Sequence, residues 1–327
     1  MSRISVIIDT DPGVDDAAAI MLALASPEID LRGVTVVAGN VGLPASVGNA
    51  CRIVALAGRR DVPVLAGAAV PLIGKQLFGK YAHIGDFPPD LMPETDYQPA
   101  RFSAVRFIVE QARAAAVEGH GITICAMGPL TNIALALRMH PDVADGIESI
   151  VIMGGAFAAL GHRTPFGEYN VMADPHAAAI VWQSGVPVVL LPLDVTLQAL
   201  FADGDFSAME AQGSPSGKAL AGLLRRFDRG DLKRFGRPGG PIHDAMTIAW
   251  LLQPELFSGS HCAIGVTLYG PTAGQTWADL HNKSEQRPNA CVMTHVDEVG
   301  YRRLLVERIA GLGAIPLTAT PKREFHA

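Results

Sequence analysis

Long apolar runs, excess basic charge and paired cysteines are all scarce in this chain of 327 residues. No stretch approaches the roughly 20 apolar residues of a membrane-spanning helix, so no membrane partner is expected. Lys and Arg number 26 against 32 Asp and Glu, a formal net charge of −6. Nucleic acid and anionic lipid both demand a basic surface, and neither is expected as a partner. The four cysteines, Cys51, Cys125, Cys262 and Cys291, are scattered without a C-x-x-C pair. That pattern excludes a disulfide scaffold and a zinc knot. The opening MSRISVIIDTDPG reaches Asp9 too soon for a secretory signal, so the cytoplasm is the expected location. No G-x-x-x-x-G-K-[ST] occurs, and no G-x-G-x-x-G follows the first apolar run.

What the chain has is apolar mass and a regular rhythm. Hydrophobic residues make up 49% and charged residues 18%, enough for a sizeable core. Strand 4–8, helix 14–25, strand 31–38, helix 44–57 and strand 62–65 alternate as in a parallel sheet covered by helices. Residues 67–100 break that rhythm with Gly, Pro and a Pro88–Pro89 pair, and a loop of this length is usually functional. Helix 101–118, strand 122–126, helix 130–139 and strand 149–153 restore it. A second irregular loop, 154–170, precedes helix 175–184 and strand 186–191. A helical region 203–229, a Gly/Arg/Pro loop 230–241, helix 243–252, strands near 262–269, 276–280 and 290–294, and helix 297–310 complete the chain. The expectation is one α/β domain over 1–327, with a mostly parallel central sheet flanked by helices.

Four carboxylates, Asp9, Asp11, Asp15 and Asp16, fall within eight residues at the end of the first strand. In open α/β sheets that end holds ligands. Four like charges so close stay ionised only if donors or a cation neutralise them. Oxygen donors of this kind suit a hard cation, Ca²⁺ or Mg²⁺. Capping of the following helix could account for one or two of the acids. The spacing does not fit an EF-hand, whose twelfth position counted from Asp9 is Ile20 rather than Glu. Nor does it fit a D-x-D phosphotransferase, since the fourth residue after Asp9 is Gly13.

DTDPGVDDA (9–17) resembles the opening motif of the nucleoside hydrolases of the inosine-uridine-preferring type. VVAGN (36–40), MGPLTNIA (127–134), VIMGGAF (151–157), EYNVMADPHAA (168–178) and PIHDA (241–245) follow in the family's order, so the resemblance spans essentially Ile4 to Ala310. It implies a Rossmann-like fold and a Ca²⁺-dependent hydrolase that splits a ribonucleoside into ribose and free base. The metal would fall on Asp11, Asp16, Asp244 and the backbone carbonyl of Met127. Asp11 would also be general base toward the Ca²⁺-bound water, and His243 would protonate the leaving base. Asp15, Asn40, Asn170 and Asp244 would hold the ribose hydroxyls and Glu168 the 5′-hydroxyl. Such relatives assemble as dimers or tetramers, which implies a homo-oligomer serving purine or pyrimidine salvage.

Each site residue also has a plainer reading. Asn40 could form a turn, Asp174 is the better cap for helix 175–184, and Asn132 is expected to be structural. Three departures from the family pattern stand out. His83, expected to reach the base, lies in HIGDF rather than H-G-x-x-G, and His162 stands six residues before Glu168 where relatives often have asparagine. The segment from Phe227 to Gly240 lacks tyrosine. In and beside it lie Arg225, Arg226, Arg229, Lys233, Arg234 and Arg237, either a solvated face or a contact for an acidic or phosphorylated substrate group. A modified riboside as substrate, phosphoryl transfer, or a non-catalytic Ca²⁺-dependent nucleoside binder are the rival functions.

Overall fold

The structure, a computed structural model, describes residues 3–79, 87–227, 230–281 and 283–312. Six parallel strands, β1 (Ile4–Thr10), β2 (Ile29–Val36), β3 (Val64–Ala66), β4 (Ile122–Ala126), β5 (Ile147–Met153) and β6 (Val188–Leu191), form its centre. They lie in the order β3-β2-β1-β4-β5-β6. Ala290–Val296 extends the sheet parallel to β6, and Phe257–Cys262 closes it antiparallel, making eight strands. Strands buried on both faces read as continuous apolar runs, which is why ISVII and ITICA stood out in the sequence.

Alternation along β1 divides the core between the two faces. Val6 and Ile8 pack in one cluster with the helices α1 (Val14–Leu24) and α2 (Leu43–Leu56), while Ile7 packs in another with helix Ala104–Glu118. Every residue of α1 is buried. Beyond the two acids of its first turn, a helix enclosed on all sides must be apolar all round, and its alanines let neighbouring helices approach closely. The chain runs from β1 outward to β3, then returns to place β4 against the other side of β1. That reversal opens a crevice beyond the carboxyl ends of β1 and β4, which stay joined up to Met127 N, donating to Asp9 O at 2.8 Å.

Elements that differ from the sequence reading include three in the second half of the chain. Region 203–229 is two helices, Asp203–Glu210 and Pro215–Arg226, because Gly213 turns at φ 76° and Ser214 then caps a new helix begun by Pro215. The edge strand Phe257–Cys262 was not anticipated: its four central residues are exposed, so it carries no apolar run. The second long loop, read as 154–170, runs into a short helix, Tyr169–Ala173. The first long loop is tied down by Arg52 of α2, a buried guanidinium that donates to the carbonyls of Phe87, Met92 and Pro93. All four cysteines are free. Among the described residues no helix is long and apolar enough to cross a membrane.

Candidate active site

The acidic turn is built locally. Pro12 and Gly13 reverse the chain after β1 so that α1 begins at Val14, with Asp15 and Asp16 in its first turn. Asp16 closes that turn on itself, its Oδ2 accepting from Gly13 N at 2.9 Å and its Oδ1 from Thr10 Oγ1 at 2.5 Å. Asp9 is a structural acid: its Oδ1 accepts from Thr35 Oγ1 at 2.6 Å and from Asn132 Nδ2 at 2.8 Å. The structural role expected of Asn132 is thus that of partner to Asp9. Asp11 Oδ2 accepts from Asn40 N at 2.5 Å, while its Oδ1 is buried with no hydrogen-bond partner. Glycine is required on both sides of this carboxylate. A Cβ on Gly39 would collide with Oδ2, and one on Gly128 would press on Oδ1.

Carboxylate oxygens of Asp15, Asp16 and Asp244 lie within 4.8 Å of one another, and all three residues are buried. Asp244 arrives from the far end of the chain, at the start of helix Ala245–Leu252. Three carboxylates this close, taken out of water, demand a shared proton or a cation. Of the expected ligands, Asp16 and Asp244 stand in this cluster, joined by Asp15, which was expected to hold ribose. Asp11 lies beside them. Burial first, then repulsion from Asp16 and Asp15, pushes its carboxyl well above the ordinary range. The Met127 carbonyl accepts from Asn170 Nδ2 at 2.8 Å and retains a second lone pair. Crowded, desolvated oxygens with an unpartnered Asp11 Oδ1 fit a hard divalent cation.

These carboxyls make a stability prediction. Burial raises Asp16 and takes Asp9 from 3.8 to about 7. A carboxyl raised in this way binds more protons folded than unfolded, so stability falls as pH rises from about 3.8 through about 7. Thermal melts in chelator are expected to give a higher Tm at about pH 5 than at about pH 8. A flat profile would mean that the buried acids are compensated without metal.

A cavity of about 420 Å³ opens beyond the cluster, lined by Asp15, Asn40, Met127, Glu168, Asn170 and Asp244, with His162 and His243. Asp11 and Asp16 are not part of its lining. Glu168 is also the cap of helix Tyr169–Ala173, accepting from Asn170 N at 3.0 Å and Val171 N at 3.2 Å, and it accepts from Gly155 N at 3.1 Å besides. Asp174 caps the next helix by accepting from Ala177 N, as expected. His162 Nε2 lies 3.7 Å from Glu168 Oε1 and accepts from Tyr169 N at 3.3 Å. His243 N donates to Asp15 Oδ2 at 3.4 Å, and its Nδ1 is 2.7 Å from Thr196 Oγ1. The His162 and His243 rings are 6.1 Å apart. His83 falls outside the described residues.

Thr10, Thr35 and Thr196 were not singled out from the sequence. Thr10 sits inside the acidic motif and could have been; Thr196 meets His243 only through the fold. The basic segment also resolves. Arg225 pairs with Asp203 and Glu210 at 2.7 and 2.9 Å, Arg226 with Asp90 at 3.0 Å, and Arg237 with Glu298 at 2.8 Å. Arg234 lines the cavity, and Arg229 lies outside the described residues.

The family model for inosine-uridine preferring nucleoside hydrolases matches residues 6–303. A pyrimidine-specific ribonucleoside hydrolase, RihA of Citrobacter koseri, is 41% identical over 309 residues, covering 93% of this chain and 97% of its own. The solved structure of a purine-preferring ribonucleoside hydrolase from Gardnerella vaginalis superposes with a TM-score of 0.85 at 31% identity, covering 94% of this chain and 98% of that one. A plant nucleoside hydrolase superposes with a TM-score of 0.84 at 30% identity, covering 94% and 99%.

Proposed function

This chain belongs to the inosine-uridine preferring nucleoside hydrolase family and is a nucleoside N-ribohydrolase; from that premise we propose that Asp11 is its general base, His243 its general acid and Ca²⁺ its cofactor. The observation that carries the proposal is the buried Asp15, Asp16 and Asp244 cluster, set beside Asp11 at one end of a cavity that His243 also lines. Ca²⁺ on Asp11, Asp16, Asp244 and the Met127 carbonyl would neutralise these carboxylates and acidify water modestly. Because that acidification is small, a carboxylate base is still needed, and Asp11 Oδ1 would take the proton of the attacking water.

Breaking an N-glycosidic bond passes through an oxocarbenium-like sugar, whose positive charge the surrounding carboxylates favour. Asp15, Asn40, Asn170 and Asp244 would hold the ribose hydroxyls and Glu168 the 5′-hydroxyl, with His162 reaching the same carboxylate. A purine or pyrimidine anion leaves poorly. His243 would supply the proton through Nε2, its ring oriented by Thr196 at Nδ1. A homo-oligomer, a cytoplasmic address and a salvage role belong to the same proposal.

The relatives are named for opposite bases, pyrimidine-specific in one case and purine-preferring in another, so base preference has to be measured. A reducing-sugar assay with inosine, adenosine, guanosine, uridine, cytidine and p-nitrophenyl riboside, with and without calcium chelator, is the test. Ribose release from a nucleoside, lost on metal removal and restored by Ca²⁺, is expected. Release unaffected by complete metal removal would overturn the calcium assignment, and release from none of them would overturn the substrate class.

A further inference from the structure

We propose that the substrate carries an anionic group, a carboxylate or a phosphate, and that Arg163 and Arg234 hold it; this rests on the ribonucleoside reading above. Both arginines line the same cavity as Asp15, Asp244, Glu168 and Asn170. Each is oriented by a neutral partner. Arg163 Nη2 donates to the Phe78 carbonyl at 2.8 Å, and the Arg234 guanidinium lies 5.5 Å from the centre of the Phe235 ring. Among the described residues neither forms an ion pair.

Their neighbours make the contrast. Arg225, Arg226 and Arg237 come from the same stretch of chain as Arg234 and are all bound to carboxylates on other elements. Asp231 also lines the cavity, but its carboxylate caps the turn Leu232–Phe235 by accepting from Arg234 N at 3.0 Å rather than pairing with the guanidinium. Gly236, at φ 69°, ends that turn. Arg163 is fixed in its own loop, its N donating to Gly167 O at 3.3 Å. One cavity thus combines an acidic wall, suited to a cation and ribose hydroxyls, with two guanidinium groups that have no charge partner among the described residues. A neutral nucleoside leaves that second feature without use. A carboxylate or phosphate, by contrast, takes two charge-assisted, directional contacts from guanidinium forks.

The test compares kcat/KM of the full-length protein for uridine, uridine 5′-monophosphate and 6-carboxyuridine. Wild type, Arg163→Gln, Arg234→Gln and the double variant are assayed, and binding of the same three probes is read by calorimetry. At least about a tenfold preference for one anionic probe over uridine is expected, falling by about tenfold or more in the double variant. Preference for the monophosphate places the anion on the sugar; preference for the carboxylate places it on the base. A wild-type preference for uridine, or a ratio untouched by the double substitution, overturns the proposal while leaving ribonucleoside hydrolysis intact. If no probe is hydrolysed, the nucleoside panel above decides whether the hydrolase reading fails or only the uracil base is refused, and calorimetry decides the anion site. Tighter, arginine-dependent binding of an anionic probe upholds it, and equal binding of all three overturns it.

Discussion

Asp11→Asn is expected to lower kcat by at least about 10³-fold, near the upper range for loss of a general base, while making the metal-free protein more stable at alkaline pH. The two effects have one cause. Asp11 is 1% exposed, it faces Asp16 and Asp15, and its carboxyl is pushed well above the ordinary range. Ionising it in the fold therefore costs free energy, which an amide removes along with the base. A reducing-sugar assay at saturating nucleoside reads the first effect, and thermal melts in chelator above neutral pH read the second. An unchanged kcat would remove Asp11 as base. A lower Tm for the variant would mean that its charge is already compensated in the metal-free fold.

His243→Ala is expected to separate substrates by their leaving groups. Turnover of uridine or inosine should fall by about 10² to 10⁴-fold, because a nucleobase anion needs a proton as it departs. p-Nitrophenyl riboside, whose leaving group is stable as an anion, should lose less than about tenfold. Thr196→Val should move natural substrates the same way by a smaller factor, since it removes the hydroxyl 2.7 Å from His243 Nδ1 and frees the ring to rotate. Equal losses on both substrate types in His243→Ala would end its assignment as the acid.

How much could be read in advance follows from how far apart the partners lie. The turn carrying Asp11, Asp15 and Asp16 was legible because strand, Pro-Gly reversal and helix start all sit within a dozen residues. The parallel sheet was legible because its strands are short, doubly buried apolar runs. Phe257–Cys262 was missed for the converse reason, as an edge strand exposed on both sides of its middle. Helix Tyr169–Ala173 was missed because it is a single turn, capped by the very Glu168 singled out for a substrate contact.

The order of residues along the chain is enough to specify the sheet and helix alternation, the acidic turn at the end of β1 and, through ordered motifs, the family. Those properties rest on local pattern. It takes the assembled fold to show that Asp244 closes a cluster with Asp15 and Asp16, and that His243 N reaches Asp15 from 228 residues away. That fold alone distinguished Arg234, which lines the cavity, from Arg237, which Glu298 neutralises. The reason is physical: the chemical state of a charged side chain is set by what packs against it, and those neighbours come from distant parts of the chain.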